Sequence, residues 1–149
     1  MREAAMSHGT VMAAIFKRKG GNGEYTKLYE SIAVKDRKFF DEKIVDPDER
    51  PVIVSVHDEN NWFLLSDRRL YSSIEARICA IKLEEIHHVK VDLHLMRLKM
   101  TRMTDQDELT LVTSNNAEFK LKTEPGLPFS GMFSVLKHIE ARNALKSKT

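Results

Sequence analysis

Three histidines, His87, His88 and His94, lie close together in the chain. Histidines at short spacing raise the question of a metal site, since neutral imidazole is a common zinc ligand. The local pattern argues against one. "HHVKVDL" alternates polar and apolar residues as a strand does, and neighbouring strand residues point to opposite faces, so His87 and His88 diverge. His88 and His94 share a face but stand roughly 20 Å apart at about 3.3 Å per residue, too far to chelate one ion. A zinc site also wants about four ligands, usually with closely spaced Cys or His. These histidines are expected to be solvated or locally hydrogen-bonded, with no metal.

Other chemistries lack their residues too. "GGNG" (Gly20 to Gly23) is glycine-rich but is not followed by the Lys-Ser/Thr of a phosphate-binding loop. Ser, His and Asp occur without a nucleophile elbow, and no paired-carboxylate pattern stands out. The sequence therefore predicts no enzyme and no cofactor. The single cysteine, Cys79, excludes an internal disulfide and fits a reducing cytoplasm. It sits in the apolar stretch "RICAIKL", which predicts a small buried core residue rather than a reactive thiol.

The 149 residues are enough for one domain with an appendage, and 42% hydrophobic with 31% charged residues suits a soluble globular chain. A net charge of +2 is too balanced to point to nucleic acid. No run approaches the about 20 apolar residues of a membrane span. The apolar "TVMAAIF" is followed by Lys17-Arg18-Lys19, the reverse of a secretory signal. It reads as a frayed or docking helix in preference to an interfacial anchor, because one short apolar run binds bilayers weakly.

The elements follow from periodicity. Residues 25–45 lack Pro and Gly, and Leu28, Ile32 and Phe39 mark an apolar face, predicting an amphipathic helix that "DPDERP" stops. "VIVSV" and "WFLLS" read as strands around the turn cluster "DENN". Asp67 is placed to bond backbone amides ahead of it and hold a corner, Arg68 and Arg69 to face solvent or acids, and Leu70 to re-enter the core. "RLYSS" then pairs antiparallel with its predecessor, and "RICAIKL" continues as the far half of the same bent strand. Strands are further expected in "HHVKVDL", "MRLKM", "LTLVT" and "AEFKLKT", the last two around the loop "SNN". Phe129, Met132, Phe133, Leu136 and Ile139 trace the buried stripe of a C-terminal helix.

From Val52 to Arg142, roughly two thirds of the chain, this order resembles bacterial pleckstrin-homology-like (PH-like or GRAM-like) domains. The residues that carry the resemblance are the corner Ser66-Asp67-Arg68-Arg69-Leu70, the element Ile81-Lys82-Leu83-Glu84-Glu85-Ile86 and the terminal apolar helix. It implies an α+β, mainly β fold: a partly open barrel of about seven antiparallel strands, capped by a C-terminal helix. Residues 1–45 would form an N-terminal helical extension and residues 50–145 the PH-like domain.

The resemblance also implies a binding module without chemistry of its own. Lipid-binding relatives clamp phosphates with basic residues in the loop between the first two strands. Here that loop, His57 to Asn61, carries Asp58 and Glu59 and no Lys or Arg, so an anionic head group is repelled. The expected function is protein–protein interaction, with Trp62, Arg68, Arg69, Arg97 and Lys99 as candidate partner-binding residues. The alternatives are a peripheral membrane module touching anionic lipid through Lys17, Arg18 and Lys19, and a small-molecule carrier. Exposed sheet edges leave a homo-oligomer open.

Overall fold

In the computed structural model, which describes residues 8–91 and 106–147, the apolar runs beginning at Val52 and Trp62 are adjacent antiparallel strands. The elements are α1 (His8–Lys19), β1 (Thr26–Leu28), a 3-10 turn (Tyr29–Ser31), α2 (Val34–Asp41), β2 (Pro51–Asp58), β3 (Asn61–Ser66), β4 (Arg69–Ile74) and β5 (Arg77–Lys82). A second 3-10 turn (Leu83–Glu85) leads to β6 (Ile86–Lys90), β7 (Glu108–Thr113), β8 (Glu118–Lys122) and α3 (Leu127–Ser147). One antiparallel sheet runs β1-β2-β3-β4-β5 and the other β6-β7-β8. The fold is mixed α+β, and among the described residues the two sheets do not close into a full barrel.

Strands β2, β3 and β4 of the first sheet are buried on both faces. Ile53, Phe63, Leu65 and Leu70 turn inward to Ile86, Leu109, Leu111 and Leu121 of the second sheet. Val54, Trp62, Leu64 and Tyr71 turn outward, where Phe40 of α2 covers them. A strand buried on both faces needs an unbroken apolar run instead of an alternating one, which is the pattern of "VIVSV" and "WFLL".

Helix α3 drives Phe129, Met132, Leu136 and Ile139 into the inner core, with Val135 beside them. Phe133 is only partly buried and stacks on Phe129 at 6.2 Å, so the expectation that it is a core ring is corrected. Helix α1 lies against α3 and buries Met12, Ile15 and Phe16 in the same core. The close approach needs Gly131. A Cβ there would stand 2.6 Å from the Phe16 ring, and this contact offsets the roughly 0.5–1 kcal/mol that glycine costs inside a helix.

The helix expected over residues 25–45 begins only at Val34. Thr26–Leu28 instead pairs with β2, Thr26 opposite Ser55 and Leu28 opposite Ile53. The reason is a distant competitor for its backbone. The Glu124 carboxylate accepts the N–H groups of Glu24, Tyr25 and Thr26 at 2.8–2.9 Å, and Asn22 Oδ1 accepts that of Leu28. Burial alone would raise the Glu124 carboxyl, but these backbone donors outweigh it and hold it below its ordinary value.

The "SNN" hairpin is present between β7 and β8, with Asn116 at φ 65°. The strand expected at Met96–Met100 lies outside the described residues.

Two outcomes test this packing. Leu136→Ala should cost about 2–5 kcal/mol and Phe133→Ala clearly less. Urea melts decide the order, and an equal or reversed order contradicts it. Glu124, with its lowered carboxyl, contributes stability that is complete above the ordinary carboxylate range and is lost as pH falls through that range toward the lowered value. The stability advantage of the parent over Glu124→Gln should therefore shrink as melts move from about pH 7 to about pH 3. An advantage that grows on acidification has the wrong sign for this clip.

Candidate interaction edge

The corner after β3 is built around a buried anion. Glu49 has no exposed side-chain surface, and its carboxylate accepts the Ser66 hydroxyl, the Arg69 guanidinium at 2.8 Å and the Tyr71 hydroxyl at 2.9 Å. Ser66 Oγ also accepts the N–H groups of Arg68 at 3.1 Å and Arg69 at 2.8 Å, which makes the tight turn. The turn-forming role expected of Asp67 thus belongs to Ser66. Asp67 instead exchanges two bonds with Arg50, N–H to O at 2.9 Å and Oδ1 from N–H at 3.0 Å, and ties the corner to the start of β2. The chain then re-enters as β4, with Leu70 opposite Leu65, as the sequence predicts.

At the far end of β4 the chain reverses at once. "RICAIKL" is not the continuation of β4 but a new strand, β5, paired back on it from Ile74↔Arg77 to Arg69↔Lys82. The reversal is a two-residue turn with Glu75 at φ 50° and Ala76 at φ 70°. Left-handed backbone is costly for both residues. The previous hairpin holds them there: Asn60 O accepts the Ala76 N–H at 3.0 Å, and Asn61 Oδ1 accepts that of Glu75 at 3.0 Å.

A two-residue hairpin fixes which backbone groups face outward. The flanking pair, Ile74 and Arg77, exchanges both of its bonds, so the groups of Arg77, Cys79 and Ile81 point to β4. Those of Ile78, Ala80 and Lys82 point away. The ends agree: the Lys82 N–H donates outward to Glu85 Oε1 at 3.0 Å, and the Leu83 N–H donates inward to Arg68 O at 2.9 Å. Ile78 and Ala80 are left presenting N–H and C=O groups along a free edge.

That edge differs from the other sheet margins among the described residues. Strand β1 is three residues long, and its donors are held by Glu124 and Asn22. The margin of β6 is covered by α3: Glu140 accepts the Val89 N–H, Lys137 donates to Val89 O, and Asn143 donates to Ile86 O. Strand β8 carries Glu118, Lys120 and Lys122 at alternate positions, the charged pattern that discourages pairing. Strand β5 has no such protection between its ends. Ile78 is 66% exposed, and Cys79 and Ala80 are exposed beside it. Cys79 is therefore not the buried core residue that "RICAIKL" predicts. A groove of about 380 Å³ lies here, lined by Ile74, Glu75, Arg77 and Cys79 of the β4–β5 hairpin and Phe119 and Lys120 of the second sheet.

The residues expected to bind a partner do not gather here. Trp62 is buried on the outer sheet face, with the Phe39 ring edge-on at 5.9 Å and Lys43 Nζ 4.8 Å from its centroid. Arg68 pairs with Asp46 and Arg69 with Glu49, beside a separate polar cleft that also holds His8 and Arg142. Arg97 and Lys99 lie outside the described residues. Lys17, Arg18 and Lys19 are exposed in the last turn of α1, and Lys17 pairs with Glu30 at 3.1 Å. His87 and His88 do not diverge as expected. A register shift between Ile86 and His88 turns both to solvent and buries Ile86 and Val89. No group of three or more His, Cys, Asp or Glu among the described residues could hold a metal ion. No described helix is long and apolar enough to cross a membrane.

The paired antiparallel sheets and terminal helix are compatible with a pleckstrin-homology-like fold. Comparison with protein-family profiles finds no match, and no curated protein matches. A solved structure, that of Inner Membrane Complex (IMC) Sub-compartment Protein 3 (ISP3) from Toxoplasma gondii, aligns over 95% of this chain and 90% of its own. Its TM-score is 0.40 at 10% sequence identity, and a likeness of that size carries no functional inference.

Proposed function

We propose that this protein is a non-enzymatic, pleckstrin-homology-like binding module that takes an extended segment of a partner protein as a sixth strand on the β5 edge. The single observation behind this reading is the contrast between β5 and the other margins. Proteins blunt their sheet edges, because a bare row of N–H and C=O groups recruits other chains. Here three margins are short, covered or charged, while Ile78-Cys79-Ala80 is bare and apolar. Strand addition of this kind is a recurrent mode of peptide recognition.

The energetics fit a modest binder. Ile78 and Ala80 offer about four backbone bonds, each contributing a net ~1 kcal/mol. That sum corresponds to a Kd of about 1 mM for backbone pairing alone. Useful affinity then requires side chains in the groove beside Phe119 and Ile74. A protein partner is favoured over lipid, because the apolar side chains of α1 that a bilayer would need, Met12, Ile15 and Phe16, are buried. A carrier role has less support, since the space between the sheets is filled by core side chains. The exposed thiol of the one cysteine suits a reducing compartment such as the cytoplasm.

Cys79 supplies the test. A partner captured on the immobilised full chain should slow alkylation of Cys79, and it should be lost on Ala80→Pro, which removes an outward N–H without breaking the β4 ladder. Circular dichroism should show the proline variant folded like its parent. A partner that leaves Cys79 fully reactive and still binds Ala80→Pro contradicts the proposal.

A further inference from the structure

Resting on the β5-edge reading, we infer that the segment received there belongs to another protein and has an apolar middle with a carboxylate at each end, and that a second copy of this chain is a poor occupant.

Strand β5 begins with Arg77 and finishes with Lys82, both exposed, and its middle is Ile78-Cys79-Ala80-Ile81. Neither Arg77 nor Lys82 has a carboxylate partner among the described residues. Lys120 lines the same groove as Arg77, although Glu108 at 3.7 Å and Thr110 at 3.2 Å share it. One acid, Glu75, lines the same groove, and Glu84 and Glu85 follow Lys82 in the 3-10 turn. Glu85 is already engaged with the Lys82 N–H. An incoming strand that spans β5 therefore meets a cation at each end and an uncharged stretch between them.

The same arrangement disfavours self-pairing. Two copies of β5 laid antiparallel must match outward-facing residues with outward-facing ones, which sets Ala80 opposite Ala80 and Ile78 opposite Lys82 and brings no carboxylate to Arg77 or Lys82. Opposite charges directly across a strand pair stabilise it. A segment with Asp or Glu at both ends supplies both contacts and keeps the apolar middle against Ile78 and the groove. The end contacts are exposed, so salt should weaken them, with a screening length of about 10 Å at 0.1 M.

The test uses two fluorescent hexapeptides with the same alternating valine–threonine middle, one ending in aspartate on both sides and one in lysine. Anisotropy titrations against the full chain at low salt should show the aspartate peptide binding at least about tenfold more tightly. The preference should shrink at high salt and reverse in the double variant Arg77→Glu, Lys82→Glu. Equal binding of the two peptides, with both lost on Ala80→Pro, overturns the charge assignment and leaves the edge itself standing. Binding that survives Ala80→Pro, or no binding of either peptide at millimolar concentration, overturns the edge reading as well. Sedimentation should find the full chain monomeric, and a dimer abolished by Ala80→Pro would make a second copy the occupant and overturn the inference.

Discussion

The Glu49 carboxylate is an anion with no exposed side-chain surface, and such a group is tolerated only when its oxygens are filled by donors. Ser66, Arg69 and Tyr71 provide them. Each of the three lies on a different part of the same reversal: the end of β3, the start of β4 and the outer face of β4. Withdrawing one partner from a buried charged set typically costs about 3–5 kcal/mol. The corner is therefore held in one geometry. That geometry sets where β4 begins, β4 sets the register of β5, and the register decides which backbone groups of β5 look outward.

The other contacts act on the frame around this corner. The outer sheet face is closed by α2 and the inner one by the second sheet and α3, so β2, β3 and β4 lie between two apolar layers. Helix α1 completes the inner layer and packs on α3. Side chains of α3 also fill the open margin of β6, and Glu124, just before α3, fills that of β1. Backbone groups left unpaired on a sheet edge recruit other chains, and among the described residues the other margins are short, covered or charged while Ile78 and Ala80 are bare, which makes β5 the edge that favours a further strand.

Much of this frame was legible in the sequence, for identifiable reasons. The stripe Phe129, Met132, Leu136 and Ile139 follows helical spacing and sits on the buried face of α3. The corner at Ser66–Leu70 and the "SNN" hairpin carry their own turn residues. The β4–β5 hairpin was not legible, because its turn is Glu75-Ala76 instead of the Asn-Gly type that marks such reversals. The candidate site was legible hardly at all. Exposure at Cys79 depends on how far the second sheet reaches, which no local pattern records. Trp62 looked like a surface anchor because the cover that α2 provides is a tertiary matter. Glu49 sits in "DPDERP", where an acid with a buried role cannot be told from its solvated neighbours. The helix expected from Tyr25 onward lost its first turns to Glu124, 98 to 100 residues away in the chain.

Strand β5 offers its outer edge unpaired, and amide hydrogen exchange of the full chain reads that residue by residue. The N–H groups of Cys79 and Ile81, bonded to β4, should exchange slowly, and those of Ile78 and Ala80 should exchange close to the unprotected rate. An alternating slow and fast pattern from residue 78 to residue 81 is the predicted result. Uniform protection along the strand would mean that the edge is already covered in the isolated protein, and would contradict the account.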